Sequence, residues 1–238
     1  MELFTKIVYI CNMKIKLYHG TSTVYLPMIK KHGLIPRYNS KSNWKTKSRP
    51  DMIYLTSAYP IHFAEHAINE HGGKPVVLEV EVDVNRLYPD EDFLEQATRG
   101  MSDEGNGGSD EEVKRVKKGR VWNNLKGLDM EQRTKYFRDK LEHYKHHYED
   151  SLRGLGTCCH KGIIKTKGII RHVIPNKKTR AMSDPSIHID NFRVLADYYA
   201  HLIKQMFNNE DPDSYWDFMG WSEHYKEMIG EIRKKSEE

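Results

Sequence analysis

The sequence is poor in cysteine. Its 238 residues hold three, Cys11, Cys158 and Cys159, two of them adjacent. An odd count with neighbouring positions excludes a disulfide framework, and no Cys-x-x-Cys is present for zinc or redox work. Small buried side chains in strands are their expected role. Long apolar runs are lacking too. None approaches the roughly 18–20 residues that cross a bilayer, and the apolar stretch at 7–11 is shorter than the about 7–15 residues of a secretory core. The expectation is a cytoplasmic chain with no membrane partner. Gly-x-Gly-x-x-Gly, the P-loop, Gly-x-Ser-x-Gly and His-Glu-x-x-His are also missing. Their absence removes the commonest dinucleotide, NTPase, hydrolase and zinc-protease readings in their usual forms.

What is present suffices for a folded domain. The chain is 38% hydrophobic and 11% aromatic, which a disordered chain is not, and its length buries a sizeable core. The formal net charge of +4 is compatible with a nucleic-acid partner without requiring one. Its distribution is uneven. Residues 90–112 are acidic and glycine-rich, 114–120 basic, 208–217 acidic again. Between 161 and 180 stand Lys161, Lys165, Lys167, Arg171, Lys177, Lys178 and Arg180, with no acidic residue among them. Such a stripe suits phosphates and also suits a solvated face.

Along the chain, β-branched runs alternate with helical spacing. Residues 6–10 and 14–18 read as strands. Leu26, Ile29 and Leu34 place a helix in 21–33, with Pro27 in its first turn and Gly33 as its stop. Residues 37–50 are polar and read as a loop. A buried-type strand covers 52–57, and 59–70 is a helix with Ile61, Ala64, Ala67 and Ile68 at core spacing. The strongest strand is 75–84, where Glu79, Glu81 and Asp83 alternate with Leu78, Val80 and Val82, predicting one wet face and one dry. Asp90, Glu91 and Asp92 then leave it in a loop, and 100–110 has the composition of a flexible segment. Residues 131–151 read as one polar helix, 157–174 as two short strands, and 189–207 and 214–235 as amphipathic helices on the outside. The fold class is α+β, with a sheet that need not be parallel. The expected organisation is a catalytic unit over 1–180, with an insertion at about 97–120, and a helical extension over 181–238 packed on it.

His62 and His66 lie four apart on a predicted helix, and His143, His146 and His147 cluster. Two imidazoles at that spacing can face one ion, but no cysteine or carboxylate is fixed beside them by sequence, and no metal is expected. The informative text is Leu17-Tyr18-His19-Gly20-Thr21-Ser22, which ends a strand before a helix closing in Gly33-Leu34-Ile35-Pro36. It sets an imidazole beside backbone that glycine leaves open to a ligand. Ile53-Tyr54-Leu55-Thr56-Ser57 follows, then the strand at 78–83, then 151–174.

In that order and spacing the blocks resemble the ADP-ribosyltransferase superfamily in its His-Tyr branch: the poly- and mono-ADP-ribosyl transferases, the diphtheria-type toxins and the RNA 2′-phosphotransferases. The resemblance covers about 20–85 and 150–175, roughly a third of the chain. It implies a split mixed or antiparallel sheet with flanking helices, and NAD as a substrate. His19 would bond a ribose hydroxyl, the Gly20 backbone would hold the nicotinamide carboxamide, Tyr54 would stack on the nicotinamide ring, and Thr21 and Ser57 would line the pocket.

Breaking the nicotinamide–ribose bond passes through an oxocarbenium-like state, as in glycoside hydrolysis. Positioning and a nearby negative charge carry most of that chemistry, and a carboxylate also orients or deprotonates the attacking group. Here the sequence departs from the His-Tyr-Glu pattern, because Gly156-Thr157 stands where the glutamate begins the late strand. The RNA 2′-phosphotransferases lack it as well. Asp90, Asp92 and Glu149 are the substitutes the sequence offers, Asp90 and Asp92 ahead of Glu149.

The leading expectation is therefore a transferase passing ADP-ribose from NAD to a macromolecule. Nucleic acid is favoured over protein, bound by Lys161, Lys165, Lys167, Arg171 and 114–120, with Trp44 and Trp122 stacking on bases. The alternative on the same fold is an NAD-independent base N-glycosylase that flips its target. A 2′-phosphotransferase would want arginines around the pocket, for which Arg37, Arg49 and Arg86 are the early candidates. The remaining class is a non-catalytic nucleic-acid or partner-binding module. For such transferases, family association suggests a toxin or phage-defence role.

Overall fold

The computed structural model describes residues 13–37, 49–99, 124–125, 127–183 and 192–210. The expectations for 6–10, most of 37–50, 100–120 and 214–235, with Trp44 and Trp122, lie outside the described residues. Six strands form one antiparallel sheet: β1 Lys14–Ser22, β2 Met52–Thr56, β3 Pro75–Asp83, β4 Leu87–Pro89, β5 Thr157–Lys161 and β6 Ile169–Val173. Their order across the sheet is β4-β5-β2-β1-β3-β6. Around it lie seven helices among the described residues: α1 Leu26–His32, α2 Pro60–His71, α3 Glu91–Arg99, α4 Met130–Asp139, α5 Tyr148–Leu155, α6 Lys177–Met182 and α7 Phe192–Asn208. None is long and apolar enough to cross a membrane.

The sheet is split. β1 and β3 share nine ladder positions from Lys14↔Asp83 to Ser22↔Pro75, and β2 and β5 share five. β1 and β2 share one, Tyr18↔Thr56. Beyond that pair the two strands part, and their main-chain groups are left to other partners.

Alternation along the strands sorts the core into two sides. Leu17, Ile53, Leu55, Leu78, Val80, Leu87 and Cys158 form one buried cluster with Ile29 of α1, Leu34 and Ile164. Met52, Tyr88, Cys159 and Leu141 form a second on the opposite side, with Tyr54 packed against it. Both described cysteines are fully buried with free thiols, as small core side chains.

Three expectations about elements are corrected. The outer face of β3 is dry at Glu79, which is 3% exposed. Arg171 of β6 donates to its carboxylate at 2.7 Å, and α7 reaches the same side, where Phe207 stacks on Tyr18 at 5.6 Å. The acidic triplet is no loop: three residues of β4 intervene and α3 starts at Glu91, where early acids suit the helix N-terminus. The single helix at 131–151 is three pieces, α4, a 3-10 segment Leu141–His147, and α5. Asp129 and Gln132 close a capping box at the start of α4.

Glycine at position 20 serves packing. A Cβ there would stand 2.1 Å from the Pro60 carbonyl oxygen and 2.5 Å from the Ala64 nitrogen. The space expected to admit a ligand over its Cα is filled by the first turns of α2, which packs on β1 and β3.

Candidate active site

His19 sits in β1 beside the parting. Its Nδ1 lies 2.9 Å from the Tyr54 carbonyl oxygen. A carbonyl only accepts, so Nδ1 carries the hydrogen and Nε2 holds the lone pair. Burial, with a smaller push from the Arg37 cation, moves the imidazole pKa below its ordinary value, against the opposing effect of that hydrogen bond. The ring is thus a neutral imidazole with one acceptor nitrogen unused by Tyr54.

The phenol of Tyr54 does not meet that imidazole. Tyr18 pairs with Thr56, so Tyr18 shares a face with Tyr54, while His19 shares the other with Leu17. One cleft gripping both side chains is replaced by an arrangement in which the imidazole holds the Tyr54 backbone across the split.

On its own side, Tyr54 donates its hydroxyl to Glu91 Oε1 at 2.5 Å and accepts from the Arg49 amide at 3.1 Å. Glu91 Oε2 faces the Cys159 thiol at 3.9 Å. Burial first, then neighbouring Asp90, pushes the Glu91 carboxyl up to about 7. Burial also raises the Tyr54 phenol and the Cys159 thiol well above their usual ranges, so both stay protonated.

Asp90 comes next. Its Oδ2 accepts from Thr157 Oγ1 at 2.8 Å and its Oδ1 from the Asp92 amide at 3.0 Å. Its own amide donates to Ser151 Oγ at 2.9 Å, and that hydroxyl donates to the Thr157 carbonyl at 2.7 Å. Burial, with Asp92 adding to it, raises this carboxyl to about 6. Thr157 opens β5, so Asp90, just after β4, brings a carboxylate to the head of that strand. Asp90 and Glu91 form a buried acid pair on the Tyr54 side.

The other expected residues scatter. Asp92 is exposed in the first turn of α3. Glu149 is exposed on α5, accepting from Tyr148 at 2.9 Å and Arg153 at 3.4 Å, and does not join the acid pair. Thr21 is buried. The Ser57 amide donates to the Gly156 carbonyl at 3.0 Å, and this ties the strand end to β5. Arg49 is held by Asp51 through two bonds of 2.9 Å and by the Arg138 carbonyl. Arg37 stands over the Tyr25 ring at 5.9 Å and Arg86 lies against Gly162, so the three arginines do not converge on one pocket.

Three of the seven cations in the basic stripe find acidic partners at long range. Lys161 pairs with Glu142, Arg171 with Glu79 and Arg180 with Glu65. Lys165 and Lys167 are exposed and make no ion pair among the described residues. On α2 the rings of His62 and His66 pack edge to face at 4.6 Å. Among the described residues no group of three potential metal-ligating side chains assembles.

Glu91 is the participant that sequence reasoning missed as a candidate acid. Its partner Tyr54 is 37 residues away, and the one available signal was three consecutive acids before Phe93-Leu94. No family model, curated protein or solved structure matches this chain.

Proposed function

We propose that the chain cleaves the bond between nicotinamide and ribose in NAD and passes ADP-ribose to a macromolecular acceptor, nucleic acid ahead of protein. The observation that carries this reading is the parted pair β1 and β2, bridged by the neutral His19 imidazole. At such a parting a planar carboxamide can bond main chain as a neighbouring strand would. With Nδ1 committed to Tyr54, Nε2 can accept from one partner donor, as a ribose hydroxyl is. The split sheet and the acid at the head of β5 also fit the fold that the sequence resembles.

The chemistry follows from the acid pair, which lies on the sheet face opposite the His19 ring, so this reading requires the ribose held at Nε2 to reach through the parting of β1 and β2. As the C1′–N bond breaks, nicotinamide leaves neutral with the bonding electrons, and cationic character develops on the ribose. Asp90, mostly ionised at neutral pH, supplies negative charge to that state. Glu91, poised near 7, takes the proton of the acceptor hydroxyl or amine as its heteroatom attacks C1′. Tyr54 holds Glu91 in place through the 2.5 Å bond.

Incubating the full chain with nicotinamide-labelled and adenylate-labelled NAD, plus single-stranded DNA, RNA and a mixed protein pool, tests this. Release of nicotinamide with adenylate label on one acceptor is the expected result. Base release without NAD would replace the reading by a glycosylase, and no product from either would replace it by a binding module. Asp90→Asn should lower the rate on the order of 10²–10⁴-fold, whereas Glu149→Gln should leave it unchanged. The reverse pattern would move the acid to α5.

A further inference from the structure

A hollow of about 340 Å³ opens at the far end of β5, lined by Asp51, Asn85, Arg86, Tyr88, Lys161 and Gly162. It lies one step along the sheet from Tyr54: Lys161 pairs with Met52, while Tyr88 and Tyr54 flank Cys159 on neighbouring strands. We propose that this hollow is a phosphate-ester site of nucleotide size, with Arg86 and Lys161 as its anion-holding groups. The proposal goes beyond NAD cleavage and does not depend on it.

The lining carries two cations, Arg86 and Lys161, and one acid. The one lining acid, Asp51, has both carboxylate oxygens taken by Arg49 at 2.9 Å, so its charge is answered from outside. Lys161 leans on Glu142 at the rim and lies 5.7 Å from the Tyr88 ring centroid, with Lys145 over the same ring at 5.1 Å. Tyr88 is 4% exposed, so its ring is a wall and not a platform for a base. Arg86 makes no ion pair among the described residues, and its guanidinium lies against Gly162, where a Cβ would stand 3.2 Å from Nη2. The Gly162 amide is pinned to the Asp51 carbonyl at 2.9 Å, which keeps this wall in place. A planar donor fork beside an ammonium in a preformed hollow matches the oxygens of a phosphate ester. The volume falls at the lower end of ordinary ligand sites.

The test is equilibrium binding of ADP, inorganic phosphate and a fluorescein-labelled 12-nucleotide single-stranded DNA to the full chain, with no NAD present. Arg86→Gln should weaken the phosphate-bearing probes about tenfold. Lys30→Gln, which removes equal charge from α1, should not. A salt-dependence slope for DNA that falls by about one in Arg86→Gln supports the site and assigns it to a strand phosphate. Weakened ADP with unchanged DNA supports it and assigns it to a free nucleotide. Arg86 is exposed, so unchanged thermal melting is expected and separates binding from folding. Equal effects of Arg86→Gln and Lys30→Gln, or no binding of any probe at millimolar concentration, would overturn the proposal.

Discussion

A single hydrogen bond orients His19, and it fixes which nitrogen can serve a ligand. His19→Ala should reduce nicotinamide release at least 10²-fold while costing about 1 kcal/mol of stability, the usual net worth of one such bond. NAD turnover and urea unfolding measured on the same preparation check both numbers. A large stability loss would make the imidazole structural. Glu91 carries the opposite linkage. Its folded pKa is raised from 4.5 to about 7, so its stabilising contribution is complete below about 4.5 and lost as pH climbs through 7. Relative to Glu91→Gln, the natural chain should therefore lose on the order of 3 kcal/mol between pH 4.5 and 8. His160, lowered to about 4 by burial, acts in the other direction below 6.5 in both proteins and cancels from the difference. Denaturation at the two pH values decides it, and a pH-independent difference would mean that Glu91 titrates normally. The sequence made Tyr54 and His19 visible because each stands in a short motif. It hid Glu91, whose role depends on burial against a phenol that no local pattern encodes.

Elements differed in how openly the sequence announced them. β2, β3 and β6 were legible from β-branched and aromatic runs, and β5 from the glycines that follow it. α1 and α2 were legible from apolar spacing and from the glycines after their last turns, both at positive φ. β4 was not, since three residues carry no period, and α3 was hidden behind acids that composition alone assigns to a loop. The break between α4 and α5 depends on packing of Leu141, fully buried beneath β4. The tightest element contact is testable. Gly20→Ala would drive a methyl into α2 backbone at 2.1 Å, where neither side can rotate away. A loss of about 3 kcal/mol or more is expected, read as a lower unfolding midpoint. A neutral outcome would mean that α2 sits farther from β1.

Assembly of these parts was the least legible, because charges of one run find partners in distant ones. Arg171 was expected to meet nucleic acid, yet it joins β6 to Glu79 and to the Phe207 carbonyl at 3.1 Å, under a ring 4.6 Å from its guanidinium. Arg171→Met leaves a buried carboxylate without its partner and should cost about 2–3 kcal/mol. Adding Glu79→Gln should restore part of it in a double-mutant cycle. If single and double variants unfold alike, the contact is incidental.

The single ladder pair between Tyr18 and Thr56 makes the sheet resemble two leaves of a book with an open gutter. Each leaf keeps its own ladder, so water should exchange first with amides lining that gutter and last with those of β3, clasped on both edges. A molecule wedged into the spine would close the book and slow exchange there without touching either cover.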